Sequence, residues 1–142
     1  MNTFQIGDIA KGNNSWLNSM LGYCGQPGVI IHVGSHSSII HLFILKQDIT
    51  LMNDYIDKLI LEKDNENLQI GDLVELKPEV LDILNINGIG TIIDKTIIRT
   101  KDFDDKTSYD IIHAFLVYFP EMNCEYTIPC CCLRVFSDLK ND

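Results

Sequence analysis

Apolar and polar residues alternate along this chain in short stretches, most of them bounded by glycine or by polar clusters. IIHLFIL (39–45) and IIHAFLVYF (111–119) are rich in β-branched and aromatic residues with partial alternation, as in strands with one face on a core. GVIIHV (28–33) and GTIIDKTII (90–98) read the same way, and each begins at a glycine suited to a tight turn. Two stretches change period. In SWLNSMLG, Ser15 can cap a helical turn, Trp16, Leu17, Met20 and Leu21 form one face, and Gly22 can end it. In KPEVLDILN, Pro78 fits a first helical turn, and Val80, Leu81 and Leu84 supply the matching face. The pattern predicts an all-β chain with short helical turns.

The elements also recur. Gln5-Ile6-Gly7-Asp8 returns as Gln69-Ile70-Gly71-Asp72, an offset of 64 residues. QPGVII (26–31) parallels GIGTII (88–93) at 62, and IIHLFIL parallels IIHAFLV at 72. LMNDY (51–55) runs beside EMNCEY (121–126). Blocks in the same order at drifting offsets are what duplication followed by loop insertion produces. The drift falls in the polar stretch RTKDFDDKTSYD (99–110). Two domains are expected, residues 1–66 and 67–142, joined by the charged stretch EKDNENL. Five or so short strands per copy suggest a small closed barrel, which removes exposed sheet edges.

IGDLVEL, GIGTII, AFLVYF and YTIPCCCLRVF, in that order, resemble the SH3-like small β-barrel and its KOW-type relatives. The resemblance implies two tandem SH3-like barrels. In the family a Gly-Asp opens the first strand, and an apolar-Pro pair, a 3₁₀ turn and a last strand close the unit. Ile128-Pro129, Cys130 to Cys132 and Leu133 to Phe136 stand at those closing positions. The first copy carries no proline in DYIDKLILEKD, which leaves its closing turn without that signal. The wording GDLVELKP followed by glycine-spaced isoleucines is similar to small proteins of tailed bacteriophages. That similarity implies an accessory or structural protein docking on a capsid or tail, located in the virion or host cytoplasm. A soluble phage factor that binds and modulates a host protein is the alternative.

Composition narrows the function. At 142 residues, 46% hydrophobic and 22% charged, the chain is globular in character and long enough for two very small domains. A net charge of −9, with only 11 basic residues and no dense run of them, argues against nucleic acid and anionic membrane surfaces as partners. No apolar run approaches the roughly 18 residues that would span a bilayer. MNTFQIGDIAKG lacks the basic and apolar regions of a secretory signal. Five cysteines in no disulfide framework point to a reducing interior.

Three consecutive cysteines invite a chemical reading. In a 3₁₀ turn, however, successive side chains diverge by about 120° and do not converge on one metal. Cys130, Cys131 and Cys132 are therefore expected to be small apolar fillers of the closing seam, and neither metal nor cofactor is expected. A second resemblance, of HVGSHSSIIHLF and NCEY to lecithin:retinol-acyltransferase-like and NlpC-type thiol enzymes, implies Cys124 as nucleophile and His41 as a site histidine. The base histidine of those enzymes has no counterpart near Gln26, and IIHLF recurs as IIHAF, so His41 and His113 read as repeat positions. The favoured expectation is a non-enzymatic module that binds a protein, itself in one or several copies. Loops on a rigid scaffold carry such contacts. Phe103, Asp104, Asp105 and Tyr109 in the acidic insertion are the candidates, with Trp16 and Tyr23 as alternatives.

Overall fold

The computed structural model describes residues 4–23, 25–61, 67–81, 88–100 and 111–136. The chain is all-β with short helical turns and carries two five-stranded antiparallel sheets. It divides into two compact units, Met1–Ile60 with Ile98–Ile112 and Leu61–Ile97 with His113–Asp142, and each holds most of one sheet.

In the first unit β1 (Ile9–Gly12), β2 (Pro27–Val33), β3 (Ser37–Leu42), β4 (Gln47–Met52) and β5 (Ile56–Lys58) are ordered β4-β3-β2-β1-β5. Helix α1 (Trp16–Leu21) joins β1 to β2, and a 3₁₀ turn, Asn53–Tyr55, joins β4 to β5. Ala10, Ile30, Ile40, Leu42, Ile49, Leu51 and Ile56, one or two from every strand, meet in a single core cluster with Phe4. Strands about 4.8 Å apart would spread five such contributions over about 19 Å in a flat sheet, so this sheet curls around its core.

The second unit repeats the plan. β6 (Leu73–Leu76), α2 (Pro78–Leu81), β7 (Gly90–Arg99), β8 (Ile111–Phe119), β9 (Cys124–Pro129), a 3₁₀ turn at Cys130–Cys132 and β10 (Leu133–Val135) follow one another. The sheet order is β10-β6-β7-β8-β9, which is the order of the first sheet.

The likeness extends to individual bonds. The Gly7 amide donates to Ile30 O at 2.8 Å, and the Gly71 amide donates to Ile92 O at 2.7 Å. The Gln5 and Gln69 amides each donate to an Asp Oδ2, of Asp8 and Asp72, at 2.8 Å. Both Gly7 and Gly71 adopt φ +96°, which L side chains rarely take and which explains the recurring glycine. Gly28 and Gly90 share a different reason: a Cβ on the first would run into His41 O, and on the second into the Val117 side chain. At the far end, the Asn13 amide donates to Tyr55 O and the Lys77 amide to Cys132 O, both at 2.9 Å.

Registers correct the alignment read from the sequence. Ile40 pairs with Ile49 and Leu42 with Gln47; Val117 pairs with Tyr126 and Phe119 with Cys124. Asn53–Tyr55 matches Cys130–Cys132, so from the third strand onward the offset is 77, not 72. His41 therefore corresponds to Tyr118 and not to His113, and Leu51-Met52 corresponds to Ile128-Pro129 and not to the turn before β9. The repeated Ile-Ile-His was a coincidence of common residues, whereas register is set by which side chains face the core. The offset changes from 62 to 77 between β7 and β8, so the extra residues of the second copy fall there.

Two further expectations change. Ser15 Oγ accepts from the Asn18 amide at 3.2 Å and Gly22 takes φ +81°, as capping predicts, but Met20 and Leu21 are exposed. Six residues make too short a helix for an apolar stripe; among its described side chains the buried one is Asn18, whose Nδ2 donates to Tyr55 O at 2.8 Å. Secondly, the first copy closes without proline: Met52 stands before its 3₁₀ turn with φ −62°, a value proline would impose.

Candidate functional site

The two copies differ on the outward face of the sheet, the face turned from the core cluster. On the first sheet Ile9 pairs with Val29, and Val29 with His41. On the second Leu73 pairs with Thr91, and Tyr118 occupies the place of His41. Alternation puts Ile39 on this face in the first copy and Leu116 in the second. Ile9 is 3% and Ile31 1% exposed, but their counterparts Leu73 and Ile93 are 51% and 40% exposed. Ile6 and Ile70, in the turn just before, are exposed in both copies, so the contrast belongs to the face. Leu116 and Tyr118 are half-buried beside it. Around these apolar groups stand Glu75, which accepts from Arg134 Nε at 2.8 Å, and the exposed Glu125. Alternation alone did not reveal the difference, because both copies are apolar at these positions.

His41 and Asp48 face each other across β3 and β4, with Nδ1 and Oδ1 2.8 Å apart. The corresponding pair is Tyr118 and Glu125, where the tyrosine turns instead to donate from its hydroxyl to Asn123 Oδ1 at 3.0 Å. Cys124, the nucleophile of the thiol-enzyme resemblance, begins β9, and its thiol donates to Glu125 O at 3.6 Å. Its proposed companion His41 belongs to the other sheet and is engaged by Asp48.

The triple-cysteine stretch forms the expected 3₁₀ turn, but its side chains do not share one environment. Cys132 is buried, Cys130 half-buried and Cys131 exposed. Packing in the closing seam thus describes Cys132 and fails for Cys131. The Cys132 thiol is pushed well above the ordinary range by its hydrogen bond with the Cys131 side chain and then by burial. Burial also pushes the Cys130 thiol up. Among the described residues no three histidine, cysteine or acidic side chains converge as a metal site.

Of the candidates read from the sequence, Tyr23 is half-buried and packs against the first core cluster. Trp16 opens α1, and its side chain lies outside the described residues, as do Phe103, Asp104, Asp105 and Tyr109. No described helix is long and apolar enough to cross a membrane.

No protein-family model matches the chain, and no curated protein matches it.

Proposed function

We propose that the chain is a non-enzymatic protein-binding module whose second unit docks its partner on the outward face around Leu73 and Ile93. One observation carries this: the same face of a duplicated sheet is buried in one copy and open in the other. Leaving apolar surface in water forgoes about 25 cal/mol per Å², and a covering partner recovers it. The partner is a different protein. A second copy would bring another net charge of −9 against the first, a repulsion that a partner of basic surface avoids.

The strand order, with a 3₁₀ turn before each closing strand, supports the SH3-like reading. Docking on a phage capsid or tail, in the virion, is what the similarity to phage proteins adds; a host protein in the cytoplasm is the alternative partner.

A photo-crosslinking amino acid placed at Leu73, at Ile93 and, as control, at exposed Asp57 tests the face in purified particles and in infected-cell lysate. The reading expects one protein captured from positions 73 and 93, not from 57, and lost in a Leu73→Glu, Ile93→Glu variant of unchanged circular dichroism. Capture from all three positions, of nothing, or only of the chain itself overturns it. Capture from particles favours the capsid or tail partner, and capture from lysate alone favours the host protein.

A further inference from the structure

We propose that β4 of the first unit is a strand-addition site, open to an extended, basic segment of a partner protein. Each sheet ends on two edge strands, β4 and β5 in the first, β10 and β9 in the second. β5 and β10 are three residues long, which leaves little edge to pair with. The contrast lies between the two six-residue edges, β4 and β9, which correspond at the offset of 77. At the place of Met52 stands Pro129, buried and without an N–H, and at the place of Thr50 stands Thr127, half-buried. Thr50 and Met52 themselves are exposed. One copy thus blunts this edge with proline, and the other leaves it open.

Register decides which backbone groups the edge offers. The Asn53 amide donates to His36 O, and bonded positions alternate along an antiparallel pair. Ile49 and Leu51 are therefore bonded to β3, and Thr50 and Met52 turn their N–H and C=O groups to the outer edge. Only another extended backbone supplies matching donors and acceptors at that two-residue spacing. Side chains set the composition of the added segment, because residues opposite each other share a face of the sheet. Its alternate residues lie beside Ile49 and Leu51, which are buried, and must be apolar. The others lie beside Asp48, Thr50 and Met52 on the exposed face, where the carboxylate favours a cation. A net charge of −9 selects a basic segment over a second copy of the chain. This edge belongs to the first sheet and does not depend on the face around Leu73 and Ile93.

A synthetic peptide alternating valine and lysine, added to the whole chain, tests this by NMR-detected hydrogen exchange. The expected result is slowed exchange at the Thr50 and Met52 amides, with the Ile49 and Leu51 amides, already bonded to β3, unchanged. Met52→Pro suits the backbone angle at that position and removes the N–H, and should weaken binding about tenfold, the effect of one backbone bond left unmade. Met52→Ala keeps the N–H and should bind within about twofold of the wild-type chain. The same peptide with glutamate in place of lysine should not bind. Unchanged exchange at Thr50 and Met52, equal binding by Met52→Pro, or equal binding of the glutamate peptide would each overturn the site. Protection of these amides that rises with chain concentration, without peptide, would overturn it in favour of a second copy.

Discussion

Met52 and Pro129 lead into their 3₁₀ turns with nearly the same backbone, φ −62°, ψ 142° and φ −57°, ψ 146°. One chain thus builds the same closing turn with and without proline, and the geometry comes from the sheet on either side. The Asn53 amide donates to His36 O at 2.8 Å, and in an antiparallel pair bonded positions alternate. Ser37 and Met52, the next pair, therefore exchange no ladder bonds, and proline at 52 would remove none. Met52→Pro is expected to stabilise the first unit by about 0.4–1 kcal/mol, through a less flexible unfolded chain. Urea titration followed by Trp16 fluorescence measures it; a destabilised variant would mean that the Met52 amide has a partner.

Gly7 and Gly71 share φ +96°, and a Cβ on either would meet nothing within 4 Å. Steric crowding is absent, so the cost of alanine is that of the backbone alone, about 1–2 kcal/mol. Gly7→Ala and Gly71→Ala should therefore destabilise their own units by similar amounts. Hydrogen exchange of the Ile30 and Ile92 amides, which donate to Asp8 O and Asp72 O, reports each unit separately. Markedly unequal losses would show that the two turns are not energetically the same device.

Strand positions, the helical caps and the doubling were legible because they rest on local patterns: Gln-Ile-Gly-Asp before a strand, glycine at the start of the next, Ser15 and Gly22 around α1. The third block was misread because Ile-Ile-His occurs twice by composition. Only pairing shows that Ile39 and Ile111 are not equivalent, and pairing is a property of strands distant in sequence. Met52 gave no signal because its φ is imposed by neighbouring structure and not by its own side chain. The open face was hidden for a related reason. Leu73 and Ile93 look as core-like as Ile9 and Ile31, and what covers a strand's second face is decided by the whole fold.

Asn18 makes a prediction that no apolar pattern would suggest. It is fully buried, and its Nδ2 donates to Tyr55 O at 2.8 Å and to Asn13 O and Oδ1 at 3.2 Å, linking the stretch after β1 to the closing turn. Its Oδ1 is buried without a hydrogen-bond partner, which offsets part of that gain. Asn18→Ala leaves Tyr55 O with the Asn13 amide as a remaining donor, so the expected loss is about 1–3 kcal/mol and not the collapse of the unit. Asn18→Asp should cost more, since its carboxylate faces three acceptors and has no N–H to give. If urea titration finds the aspartate variant as stable as wild type, the assigned amide orientation is wrong.

The Cys132 thiol makes stability depend on pH in the alkaline range. Its hydrogen bond with Cys131, and then its burial, hold it well above the ordinary thiol value, with the Lys77 ammonium opposing weakly. Below the ordinary range both folded and unfolded chains keep this proton, and the group contributes no pH dependence. Above it the unfolded chain gives up the proton while the folded chain retains it. The unfolded state then binds fewer protons, so stability falls as pH rises, by at most about 1.4 kcal/mol per pH unit for one thiol. Cys130, pushed up by burial, adds in the same direction. Urea midpoints under reducing conditions between about pH 7 and pH 10 should fall more steeply for the wild-type chain than for Cys132→Ala. Cys131→Ala should lie between them, because it removes the hydrogen bond and leaves the burial. Parallel slopes for all three would mean that Cys132 ionises as readily in the folded chain as in the unfolded one.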